Sequence, residues 1–200
     1  INISTLATSE DKLGYYGRLG WRSLNRSFKI TKVSATDNCK INIRPMDFQK
    51  DLVKIKNIYE EYSGRLSGTI VRDNEYYWEA WVKTEYQKCL VAEIDGKVVA
   101  YIDSARMDIN LRVKEFGALP GYEVLFQAML EASIVALGLS EVEIRYSASI
   151  PDVAPAKPIE EKGRMISLIT PFYLGAKEIK TTEQLIESMH CFTFWDTDGF

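Results

Sequence analysis

The sequence predicts an α/β protein built on a mixed β-sheet, and three neighbouring patterns support this. Residues 89–102 contain two apolar runs separated by Asp95 and Gly96, a dipeptide that suits the two-residue turn of a β-hairpin. Alternating apolar residues at 111–116 predict a third strand. After a break containing Gly and Pro, residues 122–137 carry apolar side chains at helical spacing. A hairpin, a strand, a turn and a helix in this order indicate a sheet with at least one buried face.

The composition is that of a globular protein of moderate size. The 200 residues are 46% hydrophobic and 26% charged, enough for one core or for one domain with an appended piece. The net charge of −3 argues against a general nucleic-acid or acidic-membrane surface, since either would need clustered Lys and Arg. We therefore expect neither nucleic acid nor membrane among the partners.

Targeting and redox features favour a cytoplasmic protein. No apolar run approaches the ~18–20 residues that span a bilayer, and the first residues form neither a basic nor an apolar signal region. The chain opens without Met, which we interpret as a processed product or a fragment of a longer protein. Three cysteines lie far apart, which favours reduced thiols. With a single histidine, His190, no metal site is predicted.

The first residues predict a short unit that precedes the main one. A strand over residues 1–8 is followed by a helix that Ser9 caps. Residues 21–33 alternate loosely and predict one or two strands, after which a polar joint follows. We place a boundary in that joint and divide the chain into units 1–36 and 37–200.

The second unit alternates helices and strands. Helical spacing, capping residues and prolines set the limits of its elements. Besides the elements around the hairpin, the patterns predict strands at 40–44, 142–150, 164–172 and 191–195, helices from Pro45 to Tyr62, over 74–82 and from Thr181 or Thr182 to Met189, and a loop or broken helix at 153–162.

From residue 40 onward the predicted order is β-α-α-β-β-β-α-β, followed by a strand, a helix and a strand. This order, together with the hairpin Cys89-Leu-Val-Ala-Glu-Ile-Asp-Gly-Lys-Val-Val-Ala-Tyr-Ile102, resembles the GNAT (Gcn5-related N-acetyltransferase) superfamily. The resemblance covers most of the chain. It implies a GNAT-like acyl-CoA N-acyltransferase fold, acetyl-CoA as cofactor, and direct acetyl transfer to an amine of a small molecule or a peptide.

The opening segment carries a second resemblance to the same superfamily. Leu6-Ala-Thr-Ser9 followed by Tyr15-Tyr16-Gly-Arg-Leu-Gly-Trp21 is similar to the late GNAT strand and helix. The chain thus resembles the end of one GNAT domain followed by a second, degenerate one, as in bacterial tandem-GNAT proteins of the enhanced-intracellular-survival type. In that arrangement the second domain would be structural, shaping the acceptor cleft or a homo-oligomer interface.

The turn after the third core strand departs from the pattern that binds coenzyme A. In active members it reads Gln/Arg-x-x-Gly-x-Gly/Ala, and backbone N–H groups there and at the next helix cradle the diphosphate. The resemblance places four residues at this cofactor site, namely Gly117, Ala118, Gly121 and Tyr122. However, Ala118 replaces the Gln or Arg, Glu123 replaces the last small residue, and Pro120 lacks an N–H. A carboxylate there repels a diphosphate, so we expect no coenzyme A binding of the usual kind.

Two residues correspond to catalytic groups of the proteins that the chain resembles. Tyr16 matches the tyrosine that protonates the departing thiolate of coenzyme A, which a phenol can do because its pKa lies near that of a thiol. Phe200 ends the chain, and its terminal carboxylate matches the general base of the tandem proteins. The alternatives are a core aromatic for Tyr16 and a solvated chain end for Phe200.

An aromatic segment and one arginine are the candidates for substrate binding. Trp78 and Trp81 belong to an aromatic-rich helix that could line an amine or acyl pocket, or pack on the sheet. Arg72 matches an arginine common in the tandem family, with a salt bridge as the alternative. Glu93 and Glu115 occupy strand positions where GNAT enzymes sometimes place a general base, although solvated carboxylates would show the same pattern.

Three functions therefore stand side by side. The first is an acetyl-CoA-dependent N-acetyltransferase whose second domain is structural. The second is a non-catalytic GNAT-fold binding or scaffold domain that has lost coenzyme A binding. The third is an active GNAT domain with an irregular coenzyme site around residues 117–122. Acetyl-CoA binding by this chain separates the third from the other two.

Overall fold

A computed structural model describes residues 2–24, 26–34, 41–152, 155–189, 192, 193 and 195. The strands are β1 (Ile3–Ala7), β2 (Arg22–Ser23), β3 (Arg26–Ser34), β4 (Asn42–Pro45), β5 (Leu90–Ile94), β6 (Lys97–Met107), β7 (Asn110–Ala118), β8 (Glu141–Ser147), β9 (Lys157–Glu161), β10 (Arg164–Leu168), β11 (Phe172–Leu174) and β12 (Lys177–Ile179). The helices are α1 (Leu13–Arg18), α2 (Phe48–Ser63), α3 (Lys83–Glu85), α4 (Phe126–Ala136) and α5 (Thr182–Ser188), with 3₁₀ turns at Glu10–Lys12 and Glu123–Leu125 and a π-helical turn at Tyr77–Val82.

The main body is a seven-stranded mixed sheet with the order β4-β5-β6-β7-β8-β3-β9. Neighbouring strands are antiparallel except β7 and β8, which are parallel and are connected through α4. α2 packs against β6 and β7, and α4 packs against β5 and β6. This arrangement confirms the predicted mixed α/β fold class. In the ranges that the structure describes, no helix has the length and apolarity to cross a bilayer.

A smaller three-stranded sheet has the order β1-β10-β2. It shares a separate apolar cluster with the β11–β12 hairpin and α5. The buried members of this cluster are Leu24, Ile166, Ile179 and Leu185, none more than 7% exposed. The small sheet therefore joins the first strands of the chain to a late one.

Strands from residues 1–36 pair with strands from the rest of the chain. β3 lies inside the seven-stranded sheet between β8 and β9, and β1 and β2 flank β10. The predicted limit after residue 36 falls within residues 35–40, which lie outside the described part. The division into 1–36 and 37–200 therefore stays a prediction, and its two segments share both sheets.

The turn of the central hairpin has the conformation that its sequence predicts. Asp95 and Gly96 join β5 to β6 with φ values of 50° and 73°, both in the left-handed region that a type I′ turn needs. Asp tolerates this region better than most residues, and Gly has no Cβ to clash. The hairpin then presents buried apolar residues such as Val91 and Ile102 to the core.

Capping residues define the starts of two helices. The Asp47 carboxylate accepts hydrogen bonds from the second and third N–H groups of α2, at 3.1 and 3.3 Å. Thr181 caps α5 as predicted, since its hydroxyl accepts from the Gln184 N–H at 3.1 Å. The cap predicted at Ser9 is wrong, because its side chain makes no capping bond and the segment begins as a 3₁₀ turn.

Two segments differ from the prediction because of tertiary context. The sequence predicts a loop or broken helix at 153–162, but Lys157–Glu161 forms β9. β9 is an edge strand, where the N–H that Pro158 lacks is not needed. The β11–β12 hairpin, whose turn contains Gly175 at φ 60°, was not predicted from the sequence. Its strands have three residues each, too few for an alternation to be visible.

A β-bulge in β7 brings charged side chains into the sheet. Asp103 of β6 lies opposite Glu115 and its neighbour Ser104 lies opposite Val113, so Lys114 is the extra residue. The Lys114 ammonium is 3.2 Å from Asp103 Oδ2. Asp103 is only 1% exposed, and burial raises its pKa to about 7 although Lys114 acts in the opposite direction.

The variant Asp103→Asn tests this buried carboxyl through the pH dependence of stability. The folded-state pKa of about 7 lies above the ordinary 3.8, so the contribution of Asp103 to stability is full below 3.8 and is lost as the pH rises through about 7. An Asn side chain does not ionise. The free energy of unfolding of the variant relative to the parent should therefore rise by on the order of 2 kcal/mol between about pH 5 and about pH 8.

Urea denaturation at both pH values measures this difference. Asp11→Asn, the same change at an exposed carboxylate, is the matched control and should show no such rise. A difference between D103N and the parent that stays constant over this range would contradict a buried ionisable carboxyl.

Candidate functional site

β7 and β8 separate toward their carboxyl ends, beside the turn predicted to hold the cofactor. The two parallel strands are in register only at Leu111 with Ile144 and at Arg112 with Arg145, near the start of β7. From there β7 continues to Ala118 in register with β6. The crevice at the carboxyl ends of parallel strands is a typical ligand position in α/β proteins.

Aromatic side chains bridge this opening. The ring of Phe126, from the first turn of α4, lies 5.0 Å from that of Phe116 in β7 and 5.3 Å from that of Tyr146 in β8. Tyr62 of α2 adds an edge-to-face contact with Phe116 at 5.5 Å. Phe116, Phe126 and Tyr146 are each at most 1% exposed. The protein itself therefore fills the space between the separating strands.

The predicted cofactor residues are brought together at the end of β7. Gly117 and Ala118 are buried there, and Gly121 and Tyr122 follow in the turn. Gly117 is closely packed, because a Cβ at this position would lie 2.5 Å from Cε1 of Tyr101. Gly121 has φ +86°, a conformation that side chains other than that of Gly rarely adopt.

The backbone donors of this turn are satisfied within the chain. The Leu119 N–H donates to the Val99 carbonyl at 2.9 Å, and the Tyr122 N–H donates to the Leu119 carbonyl at 3.0 Å. The Gly121 N–H donates to Oε2 of Glu123 at 2.8 Å. The remaining residue of the turn is a proline and has no N–H. Each N–H between residues 119 and 122 thus already has an acceptor.

Glu123 supplies the turn with an internal anion. Its Oε1 lies 3.2 Å from Nη1 of Arg65, which follows α2 in the chain. Burial acts to raise the pKa of Glu123, but hydrogen bonds from its own N–H, from Arg65 and from Gly121 outweigh it and lower the pKa overall. The side chain is therefore a carboxylate at neutral pH, held where a phosphate would have to bind.

These features do not fit coenzyme A bound in the usual way. A diphosphate would compete with the Glu123 carboxylate for the Gly121 N–H and would meet its negative charge. An acyl chain entering between β7 and β8 would displace the Phe126 ring. The charge of Glu123 was predictable from the sequence, but its bond to Gly121 and its Arg65 partner were not.

Arg72 lies in a buried ion pair. Its Nη2 is 2.6 Å from Oε2 of Glu115, its Nη1 is 3.2 Å from Oε1, and both side chains are fully buried. The guanidinium carbon also lies 3.8 Å from the centre of the Tyr59 ring. This is the salt bridge given above as the alternative to substrate binding. In this arrangement Arg72 has no exposed side-chain surface to meet a substrate.

Two tyrosine hydroxyls complete this buried cluster. The Tyr101 hydroxyl donates to Oε1 of Glu115 at 2.5 Å, and the Tyr86 hydroxyl donates to the same oxygen while accepting from Arg72. Burial, and then the nearby Glu115 charge, raises the pKa of both phenols well above its usual value. Both hydroxyls therefore stay protonated donors. Sequence reasoning missed them, because tyrosines in apolar segments show no sign of a polar partner.

The two tryptophans predicted for substrate binding differ in their surroundings. The Trp78 indole N–H donates to the Arg72 carbonyl at 2.8 Å, and its ring meets that of Tyr59 edge-on at 5.5 Å. Trp78 is 1% exposed and thus packs in the core, the alternative given for it. Trp81, three residues further along the π-helical turn, is half-buried.

The structure describes one of the two predicted catalytic residues. Tyr16 is half-buried in α1, and its ring contacts are with Tyr15 at 5.2 Å and Trp21 at 6.5 Å, both in its own segment. Phe200 lies outside the described residues. The last described residue before it, Trp195, donates its indole N–H to Oγ of Ser63 at 3.0 Å.

The remaining carboxylates do not form a metal centre in the described part of the chain. There, no group of three or more His, Cys, Asp or Glu side chains could hold a metal ion. Glu93, considered above as a general base, lies 3.1 Å from Nη2 of Arg44, which also pairs with Asp51. Glu93 and Glu115 thus both serve salt bridges, which their strand positions alone did not reveal.

Comparison with known proteins finds similarity in structure. No protein-family model and no curated protein matches the chain. Among solved structures, it is similar to a conserved protein of unknown function from Enterococcus faecalis V583, a probable N-acyltransferase, with a TM-score of 0.62 and 14% identity. It is also similar to GCN5-related N-acetyltransferases from Kribbella flavida (TM-score 0.58, 18% identity) and Anabaena variabilis (TM-score 0.55, 15% identity).

These similarities concern the fold. Each match covers 84% of this chain but only 46%, 43% and 46% of the respective solved chains, so the chain spans less than half of their length. The main features of this fold in the chain are the seven-stranded sheet, the parallel pair β7 and β8 that separates at its carboxyl ends, and the helix α4 between those two strands. The protein has the fold of the GCN5-related N-acetyltransferases.

Proposed function

We propose that this chain is a structural part of an acetyl-CoA-dependent N-acetyltransferase that transfers an acetyl group to an amine. In this proposal a preceding GNAT domain binds acetyl-CoA, as in the tandem proteins, and residues 37–200 help to shape the acceptor cleft. The fold shared with solved GCN5-related N-acetyltransferases supports the reaction class. A small molecule or a peptide supplies the amine.

The bond between the Gly121 N–H and Glu123 carries the structural part of this proposal. Coenzyme sites of this fold would need free backbone donors at the turn and at the following helix. Here a carboxylate of the same turn accepts the donor at 2.8 Å and is paired with Arg65. Binding a diphosphate would require the Gly121–Glu123 hydrogen bond and the Arg65–Glu123 ion pair to break. Breaking them would release one positive side chain, that of Arg65, toward the ligand.

The aromatic bridge supports the same conclusion from the opposite side of the cleft. Phe126 contacts both Phe116 and Tyr146, which belong to the two separating strands. Truncating a buried Phe to Ala costs about 3–5 kcal/mol in typical cores, which shows how strongly such contacts hold the ring. A thioester entering here would have to displace the Phe126 ring and compete with these contacts.

In the proposed whole enzyme, the chemistry belongs to groups outside this turn. Tyr16 would protonate the departing thiolate, and if Phe200 is the last residue of the longer protein, its carboxylate would take the proton of the amine. The alternative is a binding or scaffold domain without any transfer activity, which the same occupied turn would also fit. Acetyl transfer by the longer protein separates these two functions.

Isothermal titration calorimetry of the 200-residue chain tests the coenzyme prediction. With acetyl-CoA at up to about 1 mM we expect no binding heat, since Glu123 and Phe126 occupy the positions that the ligand needs. A dissociation constant in the micromolar range would contradict this and would support an irregular coenzyme site at residues 117–122.

The variant Glu123→Ala tests how far the charge of Glu123 prevents a diphosphate from binding at the turn. Removing the carboxylate frees the Gly121 N–H and a neighbouring Arg65, so inorganic pyrophosphate should bind about ten-fold or more tightly than to the parent. Phosphorus NMR titration measures the affinity. Glu131→Ala, which removes a carboxylate from the body of α4, is the matched control. Equal pyrophosphate affinity of the parent and E123A would contradict the role of Glu123.

A longer protein that includes a preceding coenzyme-binding turn tests whether catalysis belongs to the preceding domain and not to the turn at residues 117–123. There, Tyr16→Phe should lower kcat by roughly 10²–10⁴-fold, because the acid that protonates the thiolate is lost. Glu123→Ala should leave kcat and the KM for acetyl-CoA unchanged. The reverse pattern, with kcat sensitive to position 123 and insensitive to position 16, would assign catalysis to this chain's own turn.

A further inference from the structure

Two clefts meet at the edge of the sheet where β5 begins and β6 approaches its end. One has a volume of about 410 Å³ and a polar lining that includes Glu85, Asp103 and Lys114. The other has a volume of about 240 Å³, and more of its lining residues are apolar. Ser104 and Leu137 line both clefts, so the two form one continuous groove. None of residues 117–123 lines it.

The polar half contains buried acceptors that lack donors. Asp103 is 1% exposed and Ser104 is 3% exposed, yet neither Oδ1 of Asp103 nor Oγ of Ser104 makes a hydrogen bond within the described part of the chain. A buried carboxylate oxygen or hydroxyl without a partner is costly, by roughly 1–3 kcal/mol for a neutral group and more for a charged one. Such a pair facing a cleft indicates a place for a ligand with hydrogen-bond donors.

Lys114 does not supply the missing donor in this structure. Its ammonium lies 3.1 Å from the Glu85 carbonyl, 2.7 Å from Glu85 Oε2 and 3.2 Å from Asp103 Oδ2. The ammonium donates hydrogen bonds to the two Glu85 oxygens and only pairs ionically with Asp103, since neither oxygen of Asp103 accepts a hydrogen bond within the described residues. Oδ1 of Asp103 is left over, and so is the charge of one of the two carboxylates.

The sign of the buried charge favours a cation as the occupant. Above the Asp103 pKa of about 7, the buried or partly buried groups Asp103, Glu85 and Lys114 together carry one negative charge. Lys88 and Arg106 also line the groove, but both are exposed, and solvent and salt screen their charges. An anion would meet the unpaired Asp103 oxygen at its closest approach, whereas an ammonium would donate to it.

The apolar half has room for a short hydrocarbon tail. Its lining includes Met46, Leu90, Ala136 and Leu137, together with the side chain of Ser133, whose hydroxyl already donates to the Met129 carbonyl. Small-molecule pockets typically combine such an apolar lining with a few polar groups that fix orientation. The buried carboxyl of Asp103 lines only the other cleft, which suits a ligand with one charged head.

From this geometry we infer that the groove binds a primary alkylammonium, with its ammonium against Asp103 and Ser104 and its aliphatic tail between Met46, Leu90 and Leu137. The site is separate from the turn at 117–123 and does not rest on the function proposed above. It offers a place for an amine on a chain whose coenzyme turn is occupied by its own carboxylate.

Three matched probes test this inference, namely n-hexylammonium, 1-hexanol and hexanoate, which share a tail and differ in the head group. Calorimetry at about pH 8, above the Asp103 pKa of about 7, should show hexylammonium binding about ten-fold or more tightly than either other probe. Asp103→Asn should weaken hexylammonium binding about ten-fold or more. Ser104→Ala should weaken it by a smaller factor, and Asp11→Asn should leave it unchanged.

Thermal denaturation first establishes that each variant is folded. Hexanol binding as tightly as hexylammonium would overturn the inference, because the groove would then be only an apolar cleft. Hexylammonium affinity that is equal in D103N and the parent would overturn it as well. The absence of any hexylammonium binding at about 10 mM would overturn it too, because one charge-assisted contact and a buried tail should give a detectable affinity at that concentration.

Discussion

The carboxylate of Glu123 accepting the N–H of Gly121 is the contact on which the functional account depends. A turn between a strand and a helix usually leaves backbone donors unpaired, and this makes it a place for anions. Here the anion is part of the polypeptide and is held at 2.8 Å. Since the Gly121 N–H is bonded within the chain, it is not available to an external anion.

This contact also ties the coenzyme turn to the helix α2. Arg65 reaches Glu123 from the end of that helix and lies over the Tyr62 ring, 5.2 Å from its centre. Burial raises the pKa of Tyr62 to about 12, although Arg65 acts to lower it. Tyr62 in turn meets Phe116, which leads to Phe126 and the opening between β7 and β8. The ion pair and the aromatic bridge thus form one connected block in the place where a thioester would lie.

Local sequence was enough to predict the elements whose causes are local. The hairpin at Asp95 and Gly96 follows from backbone preferences of two residues, and the Thr181 cap follows from one hydroxyl. The charge at Glu123 was visible as well, because it depends on residue type alone. The mixed sheet was predictable from the order of these elements.

The remaining features depend on contacts between distant parts of the chain. Arg65 and Glu123 are 58 residues apart, and Arg72 and Glu115 are 43 residues apart, so neither pair has a sequence pattern. The bulge at Lys114 adds one residue to a strand without changing its composition, yet it sets the position of Asp103 beside the groove. β9 pairs with β3, which lies more than 100 residues before it in the sequence.

The amide proton of Gly121, observed by proton–nitrogen NMR, gives the most direct test of the central claim. If the Glu123 carboxylate accepts this proton, its chemical shift should follow the protonation of Glu123 during acid titration, with a midpoint below the ordinary 4.5. The same resonance should stay in place when acetyl-CoA is added at neutral pH. A Gly121 resonance that ignores the acid titration but moves on addition of acetyl-CoA would contradict the account.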